Sequence, residues 1–225
     1  MNSTAKRVAR FGLLAALALV LGYFDRAIPI TMLLSGAVPG IKLGLANTVL
    51  LYAVYLMDWK SSVLLMLTKV LLSGFLFGSM SAILYSLSGG ALSLAVMLLI
   101  RRNPRAGALG AAALAIISDV ALLSKHMPPR GQILWCVILI SVAAAAAIAV
   151  FALIRKDAAY GVFGTSLAGA VAHNIGQVLT ASAVLHTPQL LYTYLPVLVG
   201  IGAVVGWLTG FVALRVFRAL RVTDL

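Results

Sequence analysis

Three polar side chains that offer the donors and acceptors of a binding site, His173, Asn174 and Gln177, fall within one apolar stretch, Gly164–Ser182. At the α-helical pitch of about 100° per residue, His173 and Gln177 share a face with small residues, and Asn174 lies at its edge. This pattern predicts a helix with a polar stripe that faces a pocket. The alternative is that the three side chains join helices by hydrogen bonds. The complete stripe consists of Ser166, Gly169, Ala170, His173, Gly176, Gln177 and Thr180.

Lys69 stands roughly midway along the apolar run 60–77, at a depth where an ionisable group is costly. Such a group is a functional candidate by default, and the hypothesis is a buried cation that meets an anionic group of a ligand. Two other interpretations stay open. Lys69 pairs with Asp119, or its side chain snorkels toward one membrane interface.

The segment Pro39–Asn47 predicts the beginning of another helix, because Pro-Gly supplies a turn. A helix N-terminus favours an anion, and the neighbouring Lys42 reinforces that preference. The alternative is that Lys42 only anchors the interface. We predict a ligand site open to the outer face and lined by Lys42, Asn47, Lys69, His173, Asn174 and Gln177.

The elements that must position these residues are membrane helices. Hydrophobic residues make up 63% of the chain and charged residues 10%, whereas a soluble domain has about 25% charged residues. We therefore expect an all-α fold, a polytopic helical bundle that forms a single transmembrane domain over 1–225. Apolar runs of bilayer length predict eight spans at about 7–24, 41–57, 60–77, 79–100, 107–124, 132–154, 161–185 and 191–218.

The net charge of +12 comes from lysines and arginines that fall mostly in loops on one side of this layout. The positive-inside rule then places both termini in the cytoplasm and explains the charge without a nucleic-acid partner. The loop at 185–189 has no lysine or arginine, as an outer loop should. The lipid bilayer is the expected surrounding.

The sequence lacks the motifs of several classes of enzyme. The chain has no P-loop, no cluster of aspartates that could hold Mg²⁺ against a diphosphate, and no nucleophile elbow. No second group of ligands accompanies His173, so neither a metal nor a cofactor is expected. The single cysteine, Cys136, excludes an internal disulfide. The chain is therefore not expected to be an enzyme by itself.

The first predicted span carries two pairs of small residues at helical spacing, Gly12 with Ala16 and Ala18 with Gly22. Pairs of this kind let helix backbones approach closely. They predict a tight helix–helix contact, either within the bundle or with a partner protein.

The motifs together resemble a bacterial family, the Gx transporter family, also labelled heptaprenyl diphosphate synthase component I. The resemblance rests on Pro39–Asn47, Leu76–Ser79, Tyr85–Ser93 and Gly169–Gln177, and it covers about 1–100 and 161–220. It implies the bacterial cytoplasmic membrane and a relation to the substrate-binding S components of energy-coupling-factor (ECF) transporters. These have six helices and no ATPase of their own. The resemblance also implies that Gly12, Ala16, Ala18 and Gly22 meet a transmembrane coupling subunit.

The chain departs from the family pattern at two places. A helical hairpin at about 104–158 is inserted into the expected six-helix core, and Asp25 stands where a glutamate is expected. Two functions stay open. One is small-molecule uptake, with the solute unidentified and ATPases in partner chains. The other is a membrane accessory component of heptaprenyl diphosphate synthase, in which a soluble prenyl synthase subunit performs the catalysis.

Overall fold

The fold is known from a computed structural model that describes residues 3–27, 41–42, 44–77, 80–103 and 158–220. Within those residues every regular element is helical. The helices are α1 (Ser3–Ala27), α2 (Thr48–Leu56) with a preceding 3₁₀ turn (Leu45–Asn47), α3 (Trp59–Phe77), α4 (Met80–Arg102), α5 (Ala158–Val184), α6 (Leu190–Thr193) and α7 (Leu195–Ala219). The predicted all-α class is confirmed for this part of the chain.

Four of these helices are long and apolar enough to cross a bilayer: Thr4–Ala27, Trp59–Leu76, Met80–Arg102 and Val197–Ala219. They support the predicted membrane class. The predicted spans at 107–124 and 132–154, with Asp119 and Cys136, lie outside the described residues. The count of eight spans and the cytoplasmic termini stay predictions.

Helix α5 packs between α4 and α7. Its small, polar stripe and its aliphatic face are both buried, with Val171 and Gln177 as examples from the two sides. A helix surrounded by protein does not need a lipid-facing surface, and it can therefore carry more polar residues than its neighbours.

Helices α4 and α5 cross with their backbones in contact. A Cβ atom added to Gly176 would lie 2.9 Å from the Gly89 Cα atom, so neither position has room for a side chain. The small residues at this crossing serve close packing. Helix α4 runs unbroken through Gly89 and Gly90.

The predicted helix at 41–57 is wrong at its beginning. Ile41 and Lys42 are not helical, Gly44 has a φ angle of 86°, and the 3₁₀ turn begins only at Leu45. A positive φ angle suits glycine because it has no Cβ atom. Helix α2 itself has nine residues, about 14 Å at 1.5 Å per residue, or about half of a bilayer core.

The predicted helix at 191–218 is also interrupted. It consists of the short α6 and the long α7, which are separated at Tyr194. Pro196 falls in the first turn of α7, where a missing N–H costs nothing because that group has no partner within the helix.

Candidate functional site

A small cavity lies where the non-helical backbone at Lys42 and Gly44, which precedes α2, meets α1, α3, α4 and α5. It leaves about 20 Å³ for the centre of a water-sized molecule, which is room for about one or two waters. We call it the charged cavity after four of its wall residues, Asp25, Lys42, Lys69 and His173. The complete wall consists of Gly22, Asp25, Lys42, Gly44, Ala46, Lys69, Val70, Ser73, Ser86 and His173.

Asp25 lies near the C-terminal end of α1, with only 4% of its surface exposed. Its Oδ2 atom accepts a hydrogen bond from the Ala46 backbone N–H at 3.3 Å. The carboxylate therefore occupies the N-terminal end of the 3₁₀ turn, where a negative charge is favourable. Its Oδ1 atom is buried and has no hydrogen-bond partner among the described residues.

Two ammonium groups line the same cavity. Lys69 is 5% exposed, and its Nζ atom lies 3.5 Å from Asn47 Oδ1, a long hydrogen bond. The Lys42 Nζ atom donates to Ser73 Oγ at 3.2 Å. Both lysines lie near enough to interact electrostatically with Asp25. Since an ammonium group has three donors, both retain donors that these neighbours do not use.

Asn47 connects the beginning of α2 to the centre of the bundle. Its Nδ2 atom donates to Ser93 Oγ at 2.5 Å and to the Gly169 carbonyl oxygen at 3.4 Å. It also lines a second, smaller cavity, on the side that faces α5 and α7. Gly44 lines both cavities, and Asn47 orients its side-chain oxygen toward Lys69.

Gln177 holds the non-helical backbone at Lys42. Its Oε1 atom accepts the Lys42 N–H at 3.1 Å, and its Nε2 atom donates to the Lys42 carbonyl oxygen at 3.0 Å. Irregular backbone at membrane depth is tolerated only where the protein satisfies its polar groups. One amide side chain on α5 does so here for both groups of one residue.

Asn174 performs a similar task at α7. Its Nδ2 atom donates to the Leu198 carbonyl oxygen at 2.5 Å, and its Oδ1 atom accepts from Gln177 at 3.4 Å. Although Pro196 has no N–H to donate, the backbone carbonyl groups at the beginning of α7 can still accept hydrogen bonds from α5. Asn174 therefore ties α5 to α7.

His173 is 3% exposed and packs against two glycines. A Cβ atom on Gly44 would lie 2.8 Å from His173 Cδ2, and one on Gly89 would lie 2.9 Å from His173 Nδ1. The Nδ1 atom is buried without a hydrogen-bond partner among the described residues. Small neighbours thus let the ring reach the cavity wall.

The six predicted ligand residues divide into two groups. Lys42, Lys69 and His173 line the charged cavity, whereas Asn174 and Gln177 bond to backbone groups and Asn47 holds Lys69. Whether a ligand contacts any of them stays a prediction. Among the described residues no group of three His, Cys, Asp or Glu side chains could hold a metal ion.

The sequence reasoning missed Asp25. A polar residue just after an apolar run is ordinary at the end of a span, and the group that it caps is 21 residues away. The available signal was its rarity, because the chain has only five acidic residues and this one precedes a segment with two prolines, Pro29 and Pro39.

The family comparison agrees with these observations. The sequence model of the family described as Heptaprenyl diphosphate synthase component I matches residues 14–127 and 114–216, which include all four charged-cavity residues. The chain belongs to the heptaprenyl diphosphate synthase component I family. No curated protein and no solved structure matches it. The predicted family is thus confirmed, and the relation to ECF S components stays a prediction.

In this family member the small residues of α1 lie on two different faces. Ala18 and Gly22 are buried, and a Cβ atom on Gly22 would lie 3.2 Å from Ser73 Oγ on α3. Gly12 and Ala16 are exposed, and a Cβ atom on Gly12 would meet nothing within 4 Å. The first pair makes a contact within the bundle, and the second faces outward.

The end of the bundle opposite Asp25 contains a conventional helix cap. Asp58 precedes α3, and its carboxylate accepts from Ser61 Oγ at 2.9 Å and from the Ser61 N–H at 3.3 Å. These hydrogen bonds lower the pKa of Asp58. Nearby, the Arg101 guanidinium donates to the Val54 carbonyl oxygen at the end of α2.

Proposed function

We propose that this chain is an integral membrane solute-binding protein that works in small-molecule transport, with its ligand held at the charged cavity. The observation that carries the proposal is the meeting of Asp25, Lys42 and Lys69 at one cavity, beside the non-helical backbone that precedes α2. Ionisable groups at membrane depth mark substrate pathways. Transporter sites are typically built where a membrane helix is broken.

The backbone before α2 supplies part of the chemistry of the site. The turn before α2 presents backbone N–H groups, and Asp25 accepts one of them. The non-helical backbone at Lys42, which precedes this turn, is held by Gln177, 135 residues away in the sequence. Non-helical backbone is tolerated in a membrane only where protein satisfies its polar groups or where it lines a cavity, and this backbone meets both conditions.

Binding of a whole solute requires the bundle to open. The cavity has room for about one or two waters, whereas pockets for small organic ligands usually measure several hundred Å³. We propose that α1 moves relative to α3 and α5 to admit the solute. Since the sequence has no nucleotide-binding motif, partner ATPases would supply the energy, as the resemblance to ECF S components implies.

The exposed face of α1 is the proposed contact for a transmembrane coupling subunit. Gly12 and Ala16 lie on that face, and small residues allow a second helix to approach closely. The same proposal includes a bacterial cytoplasmic-membrane location, both termini inside, and a core of six helices with an inserted hairpin at about 104–158.

The test uses the full chain, purified and reconstituted into liposomes. These are incubated with a metabolite extract, washed and analysed by mass spectrometry. We expect the wild-type protein and the Lys60→Met variant to retain the same solute, and the Lys69→Met variant to lose it. Lys60 is the matched control, since it is an exposed lysine on the same helix. Equal retention by both variants would contradict the site, and no retention by the wild-type protein would contradict the function.

The second candidate function is a membrane accessory component of heptaprenyl diphosphate synthase. The observation in its favour is the family description itself. In this reading a soluble prenyl synthase subunit performs the chemistry and binds the cytoplasmic side of this chain. Cross-linking in native membranes tests it: a prenyl synthase cross-linked to this chain supports the accessory function, whereas ECF subunits support transport. A neighbouring gene for either partner would point the same way.

A further inference from the structure

The charged cavity has an unequal number of positive and negative groups. Among the described residues its wall contains two ammonium groups, Lys42 and Lys69, and one carboxylate, Asp25. With all three ionised and His173 neutral at pH 7, the wall has one positive charge in excess. Buried charges are stable only when they are paired. An excess of one charge at this depth therefore calls for one added negative charge.

Asp25 already fills the place where an anion is most favourable. It accepts the N–H of Ala46 at the beginning of the 3₁₀ turn, as a bound anion would at a helix N-terminus. Its second oxygen atom is buried without a partner among the described residues. The chain's own carboxylate thus neutralises one lysine and leaves the other for a ligand.

We propose that the charged cavity binds the head of a singly charged anion, such as a carboxylate, and that Asp25 is the residue that excludes doubly charged groups. This deepens the proposed function and rests on it for the biological ligand. The anion would accept hydrogen bonds from Lys69, whose only acceptor among the described residues is Asn47 at 3.5 Å. The volume of about 20 Å³ suits such a head group, while the rest of the solute would need the opened bundle.

Thermal unfolding of the purified full-length protein at pH 7 tests the charge selection. The probes are sodium acetate and sodium sulfate, compared at constant ionic strength. An anion that binds only the folded state raises the midpoint temperature. Sulfate also stabilises proteins generally, so each shift is measured relative to Lys69→Met, which lacks the site, with Lys60→Met as the matched surface control.

We expect acetate to raise the midpoint of the wild-type protein and of Lys60→Met above its effect on Lys69→Met, and sulfate to show no such excess. The Asp25→Asn variant keeps an acceptor oxygen for Ala46 but leaves two unopposed ammonium groups. It should acquire an excess shift with sulfate, with an apparent affinity about tenfold above that of the wild-type protein. Equal acetate shifts in wild-type and Lys69→Met would overturn the proposal.

A second variant keeps the test decisive if Asp25→Asn does not fold. Lys42→Met leaves one lysine opposite one carboxylate, so acetate should lose its excess shift and sulfate should still show none. Retention of the acetate shift in Lys42→Met would contradict the charge count. If a solute is retained in liposomes but acetate causes no excess midpoint shift, the anion proposal alone is contradicted. If acetate causes the shift but no solute is retained, the transport function is contradicted and the anion site stands.

Discussion

Two regions of this bundle bury polar side chains, and the side chains have more complete hydrogen bonding in one region than in the other. At the α5–α7 interface, Ser166 Oγ donates to the Gly206 carbonyl oxygen at 2.8 Å and contacts Thr209 Oγ1 at 2.9 Å. Asn174 bonds to the Leu198 carbonyl oxygen. In the charged cavity, by contrast, one oxygen of Asp25 and one nitrogen of His173 have no partner among the described residues.

The comparison shows why the number of buried polar residues does not locate a site. Hydrogen bonds from neutral side chains to backbone carbonyls fasten one helix to the next, and a ligand could use those groups only by breaking the contact. Charged groups with unused donors and acceptors are costly in the folded state, which is why they are retained mainly for function. By this criterion we propose the charged cavity as the site and the α5–α7 interface as the scaffold.

The largest expected effect is the loss of solute binding on substitution of Lys69, in the charged cavity. Lys69→Met removes a buried charge and should weaken binding of the retained solute about a hundredfold, since loss of one partner of a buried charge pair costs about 2–5 kcal/mol. Equilibrium binding to detergent-purified protein measures it, with Lys60→Met as the control. Wild-type affinity in Lys69→Met would place the solute elsewhere.

The next largest effect is expected from a substitution that disrupts the α5–α7 interface and leaves the charged cavity intact. A Cβ atom on Gly206 would lie 2.8 Å from the Leu167 Cα atom on α5, and backbone cannot yield as a flexible side chain can. Gly206→Ala should lower the free energy of unfolding by about 2 kcal/mol through overpacking. Chemical denaturation in mixed micelles measures it.

The matched control for that prediction is the same substitution on α5. A Cβ atom on Gly164 meets nothing within 4 Å, so Gly164→Ala should stabilise the protein by about 0.5–1 kcal/mol because alanine favours the helix. Equal effects at the two glycines would refute the close contact between α5 and α7.

Gln177 lies between the two regions, since it bonds both to Lys42 at the charged cavity and to Asn174 at the α5–α7 interface. Its substitution therefore tests to which region it belongs. Gln177→Leu removes both hydrogen bonds to the Lys42 backbone and should destabilise the protein by about 1–3 kcal/mol. Solute affinity should fall less than in Lys69→Met. The opposite pattern, unchanged thermal stability with lost binding, would mean that Gln177 contacts the solute directly.

The smallest effect concerns the exposed cap at Asp58, outside both regions. Its pKa is lowered in the folded state by Ser61, so the stability it contributes is complete above its ordinary pKa of about 3.9. That contribution disappears as the pH falls through the lower folded pKa.

The midpoint difference between wild-type and Asp58→Asn should therefore be constant from pH 7 to about pH 5 and shrink below about pH 4. Thermal scans in buffers of matched ionic strength measure it. A difference that persists unchanged at pH 3 would contradict the proposed hydrogen bonds of the carboxylate.

Hydropathy and helical pitch were enough to locate most of the described helices. The apolar runs at 7–24 and 60–77 lie within observed helices, and so do those at 79–100 and 161–185 apart from residue 185 and residue 79, which is outside the described residues. The agreement follows because run length and periodicity are local properties. The polar stripe of α5 was predicted for the same reason. His173 and Lys69 indeed reach one cavity.

The remaining features depend on contacts between distant residues. Nothing near Lys42 in the sequence shows that its backbone is not helical, since the support for it comes from Gln177 on another helix. Asp25 acquires its role from the N–H of Ala46. Asn174 was predicted to bind a ligand, but which polar group meets backbone and which meets a cavity is decided by packing.

One measurement compares the two regions most directly. The chain has a single cysteine, so Cys136→Ser provides a background in which Ser73→Cys reports on the charged cavity and Ser166→Cys on the α5–α7 interface. Reaction with a small thiol reagent is followed with and without the solute that the wild-type protein retains. Protection of the cysteine at 73 alone is the result we predict. Protection at 166 with none at 73 would contradict the account.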